Sequence, residues 1–361
     1  MFFAKVISIL SIHSAISITA WGSAISGGCT ITEFSQVSQV VNSCTNIVVK
    51  NLNVPAQQTL HMKLKKESTL SFEGTTIFGV ANWEGPLIKI EGDTVKIDGA
   101  EGSKFDGQGA EYWDGKGGQG SKKPLFFTFQ GSGELTNINL LNCPERCSDV
   151  HGSHITIDHW NIDVSAGDKN NLGHNTDGIG VWGENIIVKN SVVRNQDDCF
   201  VMARGRDIHV NNLYCSGGHG ISMSVGLSKT SFESNFVQNV TFKDITLVDS
   251  DNGIHLKTHK DGGPGLVEHI TYKNITLKRI RRYGIEIQQD YPENDGKPTD
   301  NIPIRDVTVI GVRGTMTGKH SVPVRVSCST GACANWNWSE VDIKGNHKPC
   351  SMNFKPNGFS C

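Results

Sequence analysis

The segments Asn185-Ile-Ile-Val-Lys-Asn190 and Asp207-Ile-His-Val-Asn-Asn212 contain the pattern that decides the fold. Each has a polar residue, an aliphatic residue, any residue, a second aliphatic or aromatic residue, and then a short polar break. Alternation of apolar and polar side chains with a period of two predicts a short strand. Further copies occur at His154-Ile-Thr-Ile-Asp158, Asn239-Val-Thr-Phe-Lys-Asp244, His269-Ile-Thr-Tyr-Lys-Asn274 and Asn301-Ile-Pro-Ile-Arg-Asp306.

The copies recur at a nearly regular spacing along the chain. Their first aliphatic residues are separated by 22 to 32 positions and are Ile155, Ile186, Ile208, Val240, Ile270 and Ile302. A weaker copy, Asn46-Ile-Val-Val-Lys-Asn51, stands near the start. Self-similarity at such a period is typical of a solenoid, whose stacked coils bury a continuous aliphatic interior. The sequence therefore predicts an all-β, single-domain right-handed parallel β-helix, because the period is too long for the hairpins of an antiparallel sandwich.

The N-terminal residues have the features of an export signal. Lys5 precedes a largely apolar run over residues 6–20, and small residues follow near position 24. The run is too short and too rich in serine for a membrane span. We therefore expect a signal peptide over residues 1–24, a β-helix domain over residues 25–361, and a secreted, extracellular protein without membrane contacts.

The cysteines fit an oxidising compartment. There are ten, and they form five pairs of sequence neighbours, which predicts the bridges Cys29–Cys44, Cys143–Cys147, Cys199–Cys215, Cys328–Cys333 and Cys350–Cys361. A zinc site is disfavoured, because there is no paired C-x2-C arrangement. Three sequons predict glycosylation acceptors at Asn239, Asn274 and Asn337.

Composition and charge restrict the class of ligand. The 361 residues have a formal net charge of -2, which excludes binding of nucleic acid through bulk positive charge. A polyanion would have to be met by a few local cations. The segment 115–120 matches G-x-G-x-x-G, but no strand–helix unit surrounds it, so it predicts a loop and no nucleotide site. No cofactor and no metal is expected, and we expect a monomer.

Several residues suited to acid–base chemistry are spaced about one coil apart. Asp177 precedes Asp197 by 20 positions, Asp197 precedes His219 by 22, and Lys257 follows about one coil further on. Stacked coils would bring them into one column, where clustered carboxylates raise one another's pKa and can act as acid and base in glycosidic hydrolysis. Asp197 and Asp198 would point to opposite faces of a regular strand, so a turn or bulge is expected there.

Four short blocks resemble the signature of the polygalacturonases, glycoside hydrolase family 28: Asn175-Thr-Asp-Gly, Gln196-Asp-Asp-Cys, Gly218-His-Gly-Ile-Ser222 and Gln288-Gln-Asp-Tyr291. The resemblance implies inverting hydrolysis of α-1,4-linked galacturonan in pectin. It implies that Asp197 is the general acid, that Asp177 and Asp198 hold and activate the water, and that His219 supports the acid. It further implies that the substrate-binding residues are Asn175, His255, Lys257 and Tyr291.

One block departs from the family pattern, which usually reads Arg-Ile-Lys where this chain has His255-Leu-Lys257. Histidine offers a charge only below about pH 6.5, whereas arginine offers a permanent bidentate grip on a carboxylate. We therefore expect either a more acidic activity profile or compensation by Arg281 or Arg282. Endo-action on polygalacturonate is the favoured interpretation. The alternatives are a catalytically silent pectin-binding protein, exo-action, and hydrolysis of xylogalacturonan or rhamnogalacturonan.

Overall fold

The polar residue that opens each repeat bends the backbone into a left-handed conformation. The φ angles of Asn185, Asp207 and Asn239 are 55°, 55° and 54°. Asparagine and aspartate adopt this region more readily than other residues with a side chain. In the computed structural model, which describes residues 28–345 and 348–361, these bends separate the strands and let the chain coil.

The described residues form one parallel sheet system of 26 strands. The strands are β1 (Thr30–Ile31), β2 (Asn46–Lys50), β3 (Asn53–Val54), β4 (Leu60–Lys63), β5 (Thr69–Glu73), β6 (Thr75–Phe78), β7 (Ile88–Gly99), β8 (Lys104–Asp106), β9 (Phe127–Thr136), β10 (Asn139–Leu141), β11 (Ser148–Asp158), β12 (Asn161–Asp163), β13 (Ile179–Asn195), β14 (Phe200–Met202), β15 (Gly205–Gly217), β16 (Ile221–Val225), β17 (Phe236–Val248), β18 (Asn252–His259), β19 (Leu266–Ile280), β20 (Tyr283–Tyr291), β21 (Ile304–Met316), β22 (Val322–Ser327), β23 (Cys333–Ala334), β24 (Asn337–Ser339), β25 (Asp342–Gly345) and β26 (Ser351–Met352).

Within residues 28–345 and 348–361, helical structure is confined to short segments. The helix α1 spans Val37–Ser43, and 3₁₀ helices span Phe34–Gln36, Gly109–Glu111, Gly117–Gln119, Ser165–Asn171 and Glu233–Asn235. Helix α1 packs against β1 and β4 and buries Val37, Val40 and Val41. Its position covers the apolar interior of the first coil, a role that a solenoid terminus requires. The sequence pattern did not predict this seven-residue helix.

Strands of successive coils pair in parallel and in register. In the sheet that carries the site, Ile179, Phe200, Ile221, Ile254 and Ile285 are consecutive partners on β13, β14, β16, β18 and β20. These five side chains are buried and point into the shared interior. The chain therefore has an all-β, parallel β-helix fold, as the repeat predicts.

The repeated aliphatic residues form a second ladder. Ile155, Ile186, Ile208, Val240 and Ile270 are consecutive partners. The repeat pattern predicts Ile302 as the next member of this ladder, and that prediction is wrong, because Ile270 pairs with Val307. Ile302 is buried but precedes β21, so the turn before this strand is longer than the repeat suggests.

All five predicted disulfides are present, with Cα–Cα distances between 5.2 and 6.1 Å. The described residues contain no free cysteine. No helix in the described part of the chain is long and apolar enough to cross a bilayer. The predicted signal segment, residues 1–24, lies outside the described residues. The three sequon asparagines are exposed, and their glycosylation stays a prediction.

Candidate active site

A cleft of about 510 Å³ lies along the outer face of the sheet that contains β14, β16, β18 and β20. All eight side chains predicted from the sequence line this one cleft, namely Asn175, Asp177, Asp197, Asp198, His219, His255, Lys257 and Tyr291. The strand register explains part of this convergence. Ser224 on β16, Lys257 on β18 and Gln288 on β20 are consecutive partners, so their side chains stand side by side on the same face.

The two adjacent aspartates lie in a turn between β13 and β14 rather than within a strand. Asn195 holds this turn, because its Nδ2 donates to the carbonyl oxygens of Thr176, Asp197 and Asp198 at 2.8, 3.1 and 3.0 Å. The Cys199–Cys215 bridge follows directly behind it. The turn brings both carboxyl groups to one cleft, which a flat strand would not do.

Asp197 is held between an imidazole and an amide. Its Oδ1 lies 3.1 Å from His219 Nδ1, and its Oδ2 accepts a hydrogen bond from Asn175 Nδ2 at 3.1 Å. Burial acts to raise the pKa of Asp197, but the hydrogen bond and charge of His219 outweigh it and lower the pKa. Burial likewise opposes protonation of His219, and Asp197 reverses this effect, so the pKa of His219 is raised. The pair therefore retains one shared proton over a wide pH range.

Asp198 is buried, with 3% of its surface exposed, and it is paired with a cation. Lys257 Nζ lies 3.0 Å from Asp198 Oδ2. Burial raises the pKa of Asp198, and Lys257 offsets part of this increase. Burial also raises the pKa of Asp177 well above its usual value, with added repulsion from Asp197 and Asp198. Of these carboxyl groups, Asp198 is the one with a permanent cation in direct contact, which favours its ionised form.

His255 is buried and lies among polar side chains. Its Nδ1 is 3.2 Å from Asn252 Nδ2, and its Nε2 is 3.1 Å from Gln288 Nε2 and 3.2 Å from Glu286 Oε2. Burial, followed by the charge of Lys257, lowers the pKa of His255 well below its usual value. The lowered pKa favours the neutral form of the ring, which argues against a binding charge supplied by the titration of His255.

Tyr291 closes one side of the cleft. Its ring centroid lies 4.9 Å from Lys257 Nζ and 5.0 Å from the His259 ring. A cation over an aromatic face gains electrostatic stabilisation, so this contact helps to orient the lysine beside Asp198.

Sequence reasoning missed part of the cleft lining. The additional polar, charged and aromatic side chains include Arg146, Trp182, Asn252, Tyr283, Glu286 and Gln288. Glu286 and Gln288 are the register partners of His255 and Lys257 on the next coil. Adding one period of 31 residues to those two positions would have identified both of them.

Among the residues that the structure describes, two groups of side chains have the spacing of metal ligands, with donor atoms within 4.8 Å of one another. One is Asp197, Asp198 and His219 in the cleft, and the other is Glu268, His269 and Asp306 on the surface. In the first group Lys257 and His219 already contact the carboxylates, which disfavours a dication.

The fold and the cleft define the class of protein: a parallel β-helix with three aspartates, a histidine and a lysine positioned for acid–base chemistry. Residues 44–361 match the family Glycosyl hydrolases family 28, and the chain belongs to that family.

Named relatives extend over nearly the whole chain. A polygalacturonase of Phaedon cochleariae is 43% identical over 366 residues, which cover 99% of each chain. Endopolygalacturonase I of Aspergillus oryzae is 43% identical over 341 residues, or 92% of this chain and 91% of that one.

Solved structures agree with this assignment. Endopolygalacturonase I from Stereum purpureum, complexed with two galacturonate, is 34% identical with a TM-score of 0.82. The alignment covers 91% of this chain and 97% of that chain. The endo-xylogalacturonan hydrolase from Aspergillus tubingensis, at 22% identity and a TM-score of 0.71, shares the fold.

Proposed function

We propose that this protein is an endo-acting polygalacturonase, which hydrolyses α-1,4 linkages within the galacturonan chains of pectin and inverts the anomeric configuration. The observation that carries the proposal is the contact set Asp197–His219 and Asp198–Lys257 within a single cleft. The relatives that bear the names polygalacturonase and endopolygalacturonase support it.

Acid catalysis is assigned to the Asp197–His219 pair. Asp197 delivers a proton to the glycosidic oxygen as the bond from that oxygen to the anomeric carbon breaks. The lowered pKa of Asp197 and the raised pKa of His219 mean that the proton rests mainly on the imidazole before substrate binds. A bound sugar displaces water from Asp197 and strengthens the burial effect that favours its protonated form.

Base catalysis is assigned to Asp198, with Asp177 orienting the water. The Lys257 ammonium, 3.0 Å away, favours the ionised form of Asp198, which takes a proton from water as the oxygen attacks the anomeric carbon. The raised pKa of Asp177 suits a group that retains its proton and positions the water by hydrogen bonding. Asn175 and Tyr291 flank the sugar at this point.

The proposal is tested by incubating the purified protein with polygalacturonic acid. We expect a rapid fall in viscosity with slow release of reducing ends, and proton NMR of the first products should show the inverted anomer. Slow viscosity loss with release of monomer would indicate exo-action. Binding without products would indicate a silent pectin-binding protein, and preference for xylose-substituted chains would indicate a xylogalacturonan hydrolase. Export of the protein is proposed with the function, and N-terminal sequencing of the secreted form tests it.

A further inference from the structure

Three cationic side chains besides the histidines line the cleft, and they differ in their pairing. Arg146 lies 2.9 Å from Asp149, and Lys257 lies 3.0 Å from Asp198. Arg282 is exposed, and no carboxylate of the described residues lies within ion-pair distance of it. Arg282 is therefore the cation of this wall that is free to bind an external anion.

The backbone of Arg282 is fixed although its side chain is open to solvent. It lies between β19 and β20, its N–H donates to Asp251 O at 2.8 Å, and its carbonyl accepts from Val322 N–H at 2.8 Å. The guanidinium carbon is 5.7 Å from the centroid of the Tyr283 ring, a contact that limits the directions the side chain adopts. Tyr283 also lines the cleft and is the register partner of Asn252, which contacts His255.

The neighbouring arginine differs in orientation. Arg281 donates from Nε to Asp251 Oδ1 at 2.7 Å and is absent from the cleft lining. Its charge is thereby neutralised within the protein. Of the two arginines expected from the sequence to compensate for His255, only Arg282 meets the cleft.

The rest of this wall supplies no excess positive charge. His255 is buried and contacts Asn252, Gln288 and Glu286. Arg325, on the next coil, forms ion pairs with Glu286 at 2.7 Å and Asp290 at 3.2 Å. Glu286 and Asp290 thus share one guanidinium, and a uronate unit passing His255 meets no unpaired cation on β20 or β22.

We infer that Arg282 is a substrate-binding residue, whose guanidinium binds the carboxylate of a de-esterified uronate unit lying in the cleft beside the Asp198–Lys257 pair. This inference rests on the proposed function and deepens it, because it assigns to Arg282 the carboxylate contact that position 255 does not make in this chain. Arginine suits this contact, since its planar fork accommodates both carboxylate oxygens. It follows that the cleft selects free carboxylates over methyl esters at this subsite.

The test compares Arg282→Ala and Arg282→Lys with the unmodified protein. On polygalacturonic acid, Arg282→Ala should raise KM about tenfold or more while kcat changes less than about threefold, since a hydrogen bond to a charged group is lost away from the reacting bond. The KM of Arg282→Lys should lie between those of Arg282→Ala and the unmodified protein, because lysine retains the positive charge but lacks the planar guanidinium fork. Arg305→Ala is the matched control: Arg305 is exposed on β21, outside the cleft lining, and its removal should leave KM unchanged.

Calorimetric binding separates a contact with the carboxylate from a structural effect. In an Asp197→Asn background, Arg282→Ala should weaken binding of oligogalacturonate about tenfold and leave binding of its methyl ester nearly unchanged. Equal losses for both ligands, or no loss for either, would overturn the inference. Failure of the proposed function and failure of the Arg282 inference are distinguishable. If the unmodified protein does not cleave polygalacturonate, the proposed function is wrong, whereas the binding comparison still decides the role of Arg282.

Discussion

At the scale of single residues, the Asp197–His219 contact is the feature on which the proposed acid catalysis depends. Two groups 3.1 Å apart titrate together, so the relevant quantity is the proton count of the pair. The pair has one proton available for the glycosidic oxygen until pH exceeds the raised pKa of His219. The position of the proton before binding is therefore less important than its presence.

The first prediction concerns pH. The pKa of His219 is raised above its usual value of 6.5, so acid catalysis should persist below it and be lost as pH rises through it. The pKa of Asp198 is raised above its usual 3.8, so the base should lose activity as pH falls through that higher value. A plot of kcat/KM against pH should be bell-shaped. The midpoint of its acidic limb should lie above pH 3.8, and the midpoint of its alkaline limb should lie above pH 6.5.

Replacement of the imidazole identifies the alkaline limb. In His219→Asn the titrating acid is the Asp197 carboxyl alone, so the alkaline limb should move to lower pH and kcat should fall. The far-UV circular dichroism spectrum of the variant should match that of the unmodified protein. An alkaline limb that stays in place would exclude His219 as the group that titrates there.

The second prediction concerns the acid itself. Asp197→Asn should lower kcat by a factor of about 10² to 10⁴, because the amide retains the size of the carboxyl group and has no proton to donate. Binding of oligogalacturonate, measured by calorimetry, should change little, since the amide still accepts from Asn175. Comparable turnover by the variant would require a different acid.

At the scale of elements, the turn between β13 and β14 determines where two carboxyl groups point. Asn195 is buried, and the two hydrogens of its amide nitrogen are shared among the carbonyl oxygens of Asp197 and Asp198 in this turn and of Thr176 on the preceding coil. Its removal would take away the 2.8 Å donor of the Thr176 carbonyl, at a cost of about 1–3 kcal/mol, and would leave the Asp197 and Asp198 carbonyls with only their backbone donors, His219 N–H and Gly178 N–H. The hydrogen bonds of Asn195 in this turn thus help to fix the directions of the Asp197 and Asp198 carboxyl groups.

The third prediction follows from that coupling. Asn195→Ala should lower kcat about tenfold or more and also lower the urea midpoint of unfolding. Asn161→Ala is the control. Asn161 lies on β12, outside the cleft lining, and its Nδ2 donates a hydrogen bond to Asn139 Oδ1 at 2.9 Å. This variant should lose little stability and no activity. If both variants retained full kcat, the turn would not need Asn195 to aim the aspartates.

At the scale of the whole molecule, an edge-to-face contact and a stacked contact between aromatic rings connect the wall beneath the cleft to two other strands of the interior. Phe242 on β17 lies 5.4 Å from Phe200 on β14 and 5.0 Å from Tyr272 on β19, measured between ring centroids. All three are fully buried. Because each coil buries its apolar face only against neighbouring coils, such contacts hold the column of catalytic residues in register.

The fourth prediction measures this contribution. Phe242→Ala should lower the free energy of unfolding by about 3–5 kcal/mol, through lost burial and the cavity that remains. Phe232→Ala is the control, because this ring is 42% exposed and its loss should change stability by less than about 1 kcal/mol. Urea unfolding monitored by circular dichroism measures both values, and a small loss for Phe242→Ala would show that the interior relaxes around the missing ring.

The opposite ends of the solenoid are closed by different means. Helix α1 covers the first coil, whereas Trp336 and Trp338 stack at 6.0 Å near the C-terminal end and contact Phe354 and Phe359 respectively. Closure of both ends removes the interior from water and limits pairing between molecules through open coils.

The family resemblance predicted Asn175, His255 and Tyr291, whereas the sequence by itself determined the coil, the repeated strands, the five disulfides and the column of Asp177, Asp197, Asp198, His219 and Lys257. These properties are local or periodic: alternating side chains specify a strand, and a constant repeat length specifies which residues stack. The Asp197-Asp198 turn was also foreseeable, because two adjacent side chains reach one face only through a bend.

Only the tertiary structure decided which partners these residues have. It placed Val307 rather than Ile302 opposite Ile270, buried His255 among polar side chains, and separated Arg282, which lines the cleft, from Arg281, which pairs with Asp251. The physical reason is that turn lengths set the register between coils, and burial and ion pairing depend on that register. Neither quantity is a property of residues that are neighbours in the chain.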